Sequence, residues 1–123
     1  MKLLISNSDS RPIYEQIGAQ IKSQILSGIL SSGEALPSIR SLAKELRISV
    51  ITTKRAYEDL EKDGFIETRP GKGSFVAPKN TELVREEHLR IAENHLQKAV
   101  ETAKSSGITE AELQDILTLL FKE

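Results

Sequence analysis

Within residues 49–55 the chain places two hydroxyls, Ser49 and Thr52, one aliphatic side chain, Ile51, and two cations, Lys54 and Arg55. Hydroxyls and cations donate to phosphate oxygens and base edges, and an aliphatic group packs on a thymine methyl. Related chemistry recurs twice. Arg69, Pro70, Gly71, Lys72 and Gly73 set two cations around two glycines, which let a backbone approach a phosphate or a minor groove closely. Taken alone, that stretch reads equally as an ordinary turn containing lysine. Arg40 and Lys44 are four residues apart, and Arg40 follows Ser38 in a predicted first helical turn, where the macrodipole opposes a cation and so invites an anionic partner.

These residues need elements to hold them. Pro12 followed by Ile13, Ile17, Ile21 and Ile25 predicts an amphipathic helix over 12–27 that stops near Gly28. A second, short helix follows Pro37, with Ser38 as N-cap and Ile39, Leu42, Ala43 and Leu46 on one stripe. A third runs from Ser49 to Gly64 with Thr53, Ala56, Tyr57 and Leu60 facing inward. Ile51, Thr52, Lys54, Arg55, Glu58 and Lys62 then face outward or flank. The period next becomes strand-like, with residues 65–69 and 74–76 flanking a glycine-rich loop over 70–73, which predicts a hairpin. Leu3, Leu4 and Ile5 could add a small strand beside it. Three helices and a glycine-tipped hairpin make a winged helix-turn-helix, in which the amino-terminal part of the third helix enters a major groove.

The charge pattern bears on this. The 123 residues carry 17 basic and 18 acidic side chains, a formal charge of −1, whereas a basic domain is the usual footprint of a nucleic-acid binder. The average hides a split at Pro78: residues 1–78 hold 11 basic and 9 acidic side chains, and residues 79–123 hold 6 and 9. Within the third helix, Lys54 and Arg55 occupy the first half while Glu58, Asp59, Glu61 and Asp63 crowd the second. Acids at a helix carboxyl end oppose its dipole, but a polyanion docked at the amino end favours this order. An i, i+4 pair between Glu58 and Lys62 on a solvated face is compatible with it.

Several function classes drop out. There is no cysteine, hence no disulfide scaffold, thiolate metal site or cysteine nucleophile. No apolar run approaches the roughly 18 to 20 residues of a membrane span, and Leu3, Leu4 and Ile5 are too short a run for a signal peptide, so a cytoplasmic location is expected. His88 and His95 share a face of a predicted helix with no further ligand beside them, so no metal or cofactor is expected, and the bland reading makes them partly buried residues at an interface edge. The sequence has no phosphate-binding loop, nucleophile elbow or HExxH pair, and an enzyme is not expected.

Beyond Pro78, Val84, Ile91, Leu96, Ala99, Val100 and Ala103 predict a helix over about 81–105. Thr109 with Glu112 forms a capping box for a last helix to about Lys122, bearing Leu113, Ile116, Leu117 and Leu120 on one stripe. A segment this small buries too little surface to stand alone. Its surplus of apolar positions favours pairing with the same segment of a second chain, through Ile91, Leu96, Val100, Leu113, Ile116, Leu117 and Leu120. The expected architecture is mostly α with a small β-hairpin: a winged helix-turn-helix DNA-binding domain over 1–78 and a C-terminal two-helix dimerisation segment over 79–123.

The motif set resembles a known family. Pro12-Ile13-Tyr14-Glu15-Gln16-Ile17, then Gly33 to Leu36 followed by Pro37-Ser38-Ile39-Arg40-Ser41-Leu42-Ala43, then Lys54-Arg55-Ala56-Tyr57, and finally Gly71-Lys72-Gly73-Ser74-Phe75-Val76 are similar to those of the GntR family of bacterial transcription regulators. The short chain and two-helix tail resemble its YtrA-like subfamily. The resemblance implies a dimeric repressor on double-stranded operator DNA, with the arginine in the position of Arg40, the helix start over 49–54 and the glycine in the position of Gly71 touching DNA. It also suggests control of a neighbouring transporter operon. Two departures stand out: Arg47 occupies a turn position that usually holds glycine, and Ser49-Val50-Ile51 replaces a frequent Asn-Pro-Asn, which suggests a different operator. Larger members carry a ligand-binding domain after the wing; no room for one is expected here, and a small-molecule effector stays unknown. The DNA-contacting set expected from residues and resemblance together is Ser38, Arg40, Ser49, Ile51, Thr52, Lys54, Arg55, Arg69, Gly71, Lys72 and Gly73. The competing reading is an interaction module whose winged helix binds protein or RNA.

Overall fold

A computed structural model describes residues 1–78 and 81–123. The chain divides into two compact units, Met1–Asn80 and Thr81–Glu123.

In the first unit, α1 (Ile13–Leu26), α2 (Ile39–Leu46) and α3 (Val50–Lys62) precede a two-stranded antiparallel hairpin of β1 (Ile66–Arg69) and β2 (Gly73–Val76). The apolar stripes meet at one core: Ile17 and Ile21 from α1, Leu42 from α2, Ala56 and Leu60 from α3, and Ile66 and Val76 from the hairpin are all buried. Ile13 and Ile25, at the ends of the α1 stripe, are half-buried. Thr53 is fully buried without an orphaned hydroxyl, because its Oγ1 donates to the Ser49 carbonyl at 3.1 Å. Tyr57 is likewise buried, and its hydroxyl donates to the Pro37 carbonyl at 2.8 Å, tying the middle of α3 to the entry of α2.

Leu3, Leu4 and Ile5 do not join the hairpin. Residues 33–36 lie along β2 instead: Gly33 N–H donates to the Val76 carbonyl (2.9 Å), Leu36 N–H to the Ser74 carbonyl (2.9 Å), and Val76 N–H to the Glu34 carbonyl (2.8 Å). An isolated bridge joins Ala35 and Phe75.

The amino-terminal residues are engaged elsewhere, by three glutamines of α1. The Gln16 side chain accepts from Ser6 N–H (3.0 Å) and donates to the Ser6 and Arg11 carbonyls (3.0 Å each). The Gln20 side chain accepts from Leu4 N–H (2.8 Å) and donates to the Leu4 carbonyl (2.6 Å). Gln24 donates to the Lys2 carbonyl at 2.8 Å. The pattern is geometric: four residues of helix advance about 6 Å, and two residues of extended chain about 6.6 Å. Glutamines at every fourth position therefore meet the backbone at every second residue, as a neighbouring strand would.

The second unit consists of α4 (Thr81–Ser106) and α5 (Glu110–Lys122). Ile108 N–H donates to the Ala103 carbonyl at 3.0 Å, closing α4. The predicted capping box opens α5: the Thr109 hydroxyl accepts from Glu112 N–H, and the Glu112 carboxylate accepts from Thr109 N–H, both at 3.2 Å. Ala103 is buried, yet Ile91, Leu96, Val100, Ile116, Leu117 and Leu120 are exposed in the single chain, as are Leu119 and Phe121. Leu113 is half-buried. His88 and His95 are exposed, and among the described residues no cluster could hold a metal ion. No helix among them is long and apolar enough to cross a membrane.

Candidate nucleic-acid interface

The geometry begins at the turn between α2 and α3. Arg47 caps α2 in the left-handed conformation (φ 57°, ψ 47°), the only described non-glycine residue with positive φ. The turn that glycine usually supplies is therefore made here by an arginine. Ile48 N–H donates back to the Ala43 carbonyl at 3.0 Å, and the chain is redirected into Ser49, the N-cap of α3.

The Ser49 hydroxyl accepts from Thr52 N–H at 3.0 Å and donates to Thr52 Oγ1 at 2.7 Å. Ser49 thus spends its proton inside the cap, while Thr52 Oγ1, already accepting, keeps its own proton for a partner outside. Ile51 beside them is 81% exposed and Val50 47%. An aliphatic side chain left open at a capped helix end costs hydration free energy that a partner surface would recover.

The cations behind this end are not equivalent. Lys54 Nζ lies 3.8 Å from Glu58 Oε1; the pair on this face is thus Lys54 with Glu58, not Glu58 with Lys62, because Glu58 turns toward the amino end. The Arg55 guanidinium stacks over the Tyr14 ring of α1, 3.8 Å from its centroid. The acids of the carboxyl half of α3 also have neighbours. Asp63 accepts from Lys22 of α1 at 3.1 Å, and Glu61 accepts from the Thr68 hydroxyl of β1 at 3.0 Å. Asp63 and Glu61 therefore secure α3 to α1 and to the hairpin.

On α2, the Ser38 hydroxyl accepts from Ser41 N–H at 3.0 Å as the N-cap, and Arg40 is exposed in the first turn. At the wing, Arg69 pairs with Gly73, so the loop is the three residues Pro70, Gly71 and Lys72. Lys72 N–H donates to the Arg69 carbonyl at 2.9 Å, and Gly71 has φ 73°. Proline second and a positive-φ glycine third is the type II turn pattern. Arg69 is committed within the hairpin: it binds Glu67 at 2.9 Å and stacks on Phe75 with its guanidinium 4.2 Å from the ring centroid. Gly71, Lys72 and Gly73 are exposed. All eleven expected residues fall in the first unit, and five of them, Ser49, Ile51, Thr52, Lys54 and Arg55, come together at the start of α3. Sequence reasoning missed Tyr14 under Arg55 and the pairing of Arg69 with Glu67; the i, i+2 spacing of Glu67 and Arg69 on one face of a strand was the available signal for the second.

Three helices, a capped third helix with an open apolar and hydrogen-bonding tip, and a wing define a winged helix-turn-helix protein of the DNA-binding class. Comparison with known proteins agrees. The family model for bacterial regulatory proteins of the gntR family matches residues 13–76. The HTH-type transcriptional repressor YtrA of Bacillus subtilis is 34% identical over 104 residues, 85% of this chain and 80% of its own. A solved YtrA from Sulfolobus acidocaldarius, a GntR-family transcription factor, is 29% identical with a TM-score of 0.61, covering 98% of this chain and 97% of its own. The DNA-binding domain of AraR, solved in complex with operator ORX1, is 28% identical with a TM-score of 0.55, covering 63% of this chain and 96% of its own. The chain belongs to the GntR family of transcription regulators, in its YtrA-like branch.

Proposed function

We propose that this regulator is a repressor that binds a palindromic double-stranded operator as a homodimer, with the amino-terminal half of α3 in the major groove. The observation that carries the reading is the end of α3. Ile51 stands open beside the Thr52 hydroxyl, whose proton the cap does not use, with Lys54 and Arg55 one turn behind to meet phosphates. Arg40, the Ser38 end of α2 and the wing residues Gly71, Lys72 and Gly73 supply further contacts to the DNA backbone, Arg69 holds the wing through Glu67 and Phe75, and Ser49 acts through the cap it makes with Thr52. The likeness to a repressor, and to a domain held on an operator, supports the same reading.

The dimer is supported by the second unit. It leaves Leu96, Ile116, Leu117 and Leu120 exposed in the single chain, and two copies sharing those faces, with Ile91, Val100 and Leu113, would remove them from water. A two-fold dimer places two recognition helices on half-sites about one helical turn apart. The position of the regulated genes beside a transporter operon rests on the family likeness alone; genome context tests it.

Binding of duplexes by the full chain across a salt series tests the reading. Several phosphate contacts per half-site predict a steep linear fall of log affinity with log salt, of about 0.9 per phosphate. A flat response would instead fit a winged helix that docks a protein.

A further inference from the structure

Helices α1 and α3 lie side by side, parallel and in register. Tyr14 faces Arg55 toward their amino ends, Lys22 faces Asp63 toward their carboxyl ends, and the offset in both pairs is 41 residues. The amino end of α1 is therefore level with Lys54 and Arg55, about 6 Å behind the tip of α3.

Arg55 differs from Lys54 beside it, from Lys22 on the facing helix and from Arg69 of the wing. Lys54 has Glu58, Lys22 has Asp63 and Arg69 has Glu67. Among the described residues Arg55 has no carboxylate partner, and the Tyr14 ring takes that place. A ring fixes a guanidinium in position without neutralising it and without using its N–H donors in the guanidinium plane, which stay available to a planar or tetrahedral oxyanion. A carboxylate in the same place would compete with phosphate.

We propose that Tyr14 is a positioning residue for DNA binding: its ring holds the Arg55 guanidinium where it meets a backbone phosphate beside the groove that α3 enters. The proposal rests on α3 being the recognition helix. Tyr14 touches Arg55 and not the DNA, so its hydroxyl is dispensable and its ring is not.

The test is fluorescence anisotropy of the full chain on a labelled duplex recovered by selection from a random pool, over a salt series, with thermal melting of each variant alongside. Tyr14→Phe should bind as the wild type. Tyr14→Leu should weaken binding about two- to fivefold per half-site, the size of an exposed cation–π interaction, and should lower the salt slope by about 0.9 for each phosphate that Arg55 no longer meets. Arg55→Ala should do at least as much, and adding Tyr14→Leu to it should change nothing further. Tyr14→Met, which fills the space without an aromatic face, gives the same reading should Tyr14→Leu not fold. A steep wild-type response with an unchanged slope in Tyr14→Leu overturns the proposal alone, as does a double variant weaker than Arg55→Ala. A flat wild-type response overturns the DNA-binding reading and the proposal with it.

Discussion

Tyr57 ties the middle of α3 to the entry of α2 through one hydrogen bond, and its chemistry gives a pH signature. Burial pushes its hydroxyl up to about 12 from an ordinary value of 10.0. The unfolded chain loses this proton first, so the contribution is complete below pH 10 and falls between pH 10 and 12, by at most about 1.4 kcal/mol per pH unit. Urea unfolding at pH 9 to 11 should show that decline. Tyr57→Phe should remove it while lowering stability at neutral pH by about 1 kcal/mol, the net worth of the bond to Pro37. Arg47 makes the opposite case. A left-handed arginine costs roughly 1 to 2 kcal/mol that glycine avoids, offset in part by glycine's extra freedom in the unfolded chain. Arg47→Gly is expected to raise the urea midpoint by an amount equivalent to about 1 kcal/mol, and an unchanged or lower midpoint would refute the strain. At this scale, what was legible in the sequence was whatever depends on near neighbours. The Ser38 and Ser49 caps and the Thr109 and Glu112 box follow from three-residue spacings. Tyr14 under Arg55 and Lys22 on Asp63 join residues 41 apart, and no local period encodes them.

Among the elements, the helices of the first unit announced themselves because each buries one stripe, as with Ile17 and Ile21 or Ala56 and Leu60, and those of the second through apolar spacing and the capping box alone. The hairpin was equally clear, since Pro70 and Gly71 specify its turn. The third partner of the hairpin was not. Leu3, Leu4 and Ile5 have strand character, but residues 33–36 take the edge of β2, and the apolar pattern has no term for the glutamines that claim the amino-terminal segment. Gln16, Gln20 and Gln24 at four-residue spacing were visible as a polar stripe; that the stripe meets an extended backbone depends on matching rises of helix and strand. Gln20→Ala should free this segment, since it deletes both bonds to Leu4 at a cost of about 1 to 2 kcal/mol. Hydrogen exchange reads it directly: the Leu4 amide should exchange near the rate of an unprotected peptide in the variant and more slowly in the wild type. Equal rates in the two proteins would show that the glutamines are bystanders.

For the whole molecule, net charge was the misleading number. A formal charge of −1 argues against a polyanion partner only if charges are spread evenly. In the structure Asp63 and Glu61 serve α1 and the hairpin and Glu58 pairs with Lys54, leaving the first turn of α3 free of acids and Arg55 without a carboxylate beside it among the described residues. Near-neutrality then predicts weak binding to arbitrary DNA and an affinity that depends on the correct sequence and on two copies acting together. Truncation after Pro78 should give a monomer by sedimentation and a large loss of duplex affinity, because the exposed leucines of the second unit go with it; a truncated chain that still dimerises tightly would contradict the assignment. The most direct measurement of the central claim is selection of bound duplexes from a random pool by the wild-type chain and by Ile51→Ala and Thr52→Val. The account predicts a two-fold-symmetric consensus for the wild type and altered base preferences within each half-site for both variants. Absence of any consensus, or the same consensus from all three proteins, would contradict it.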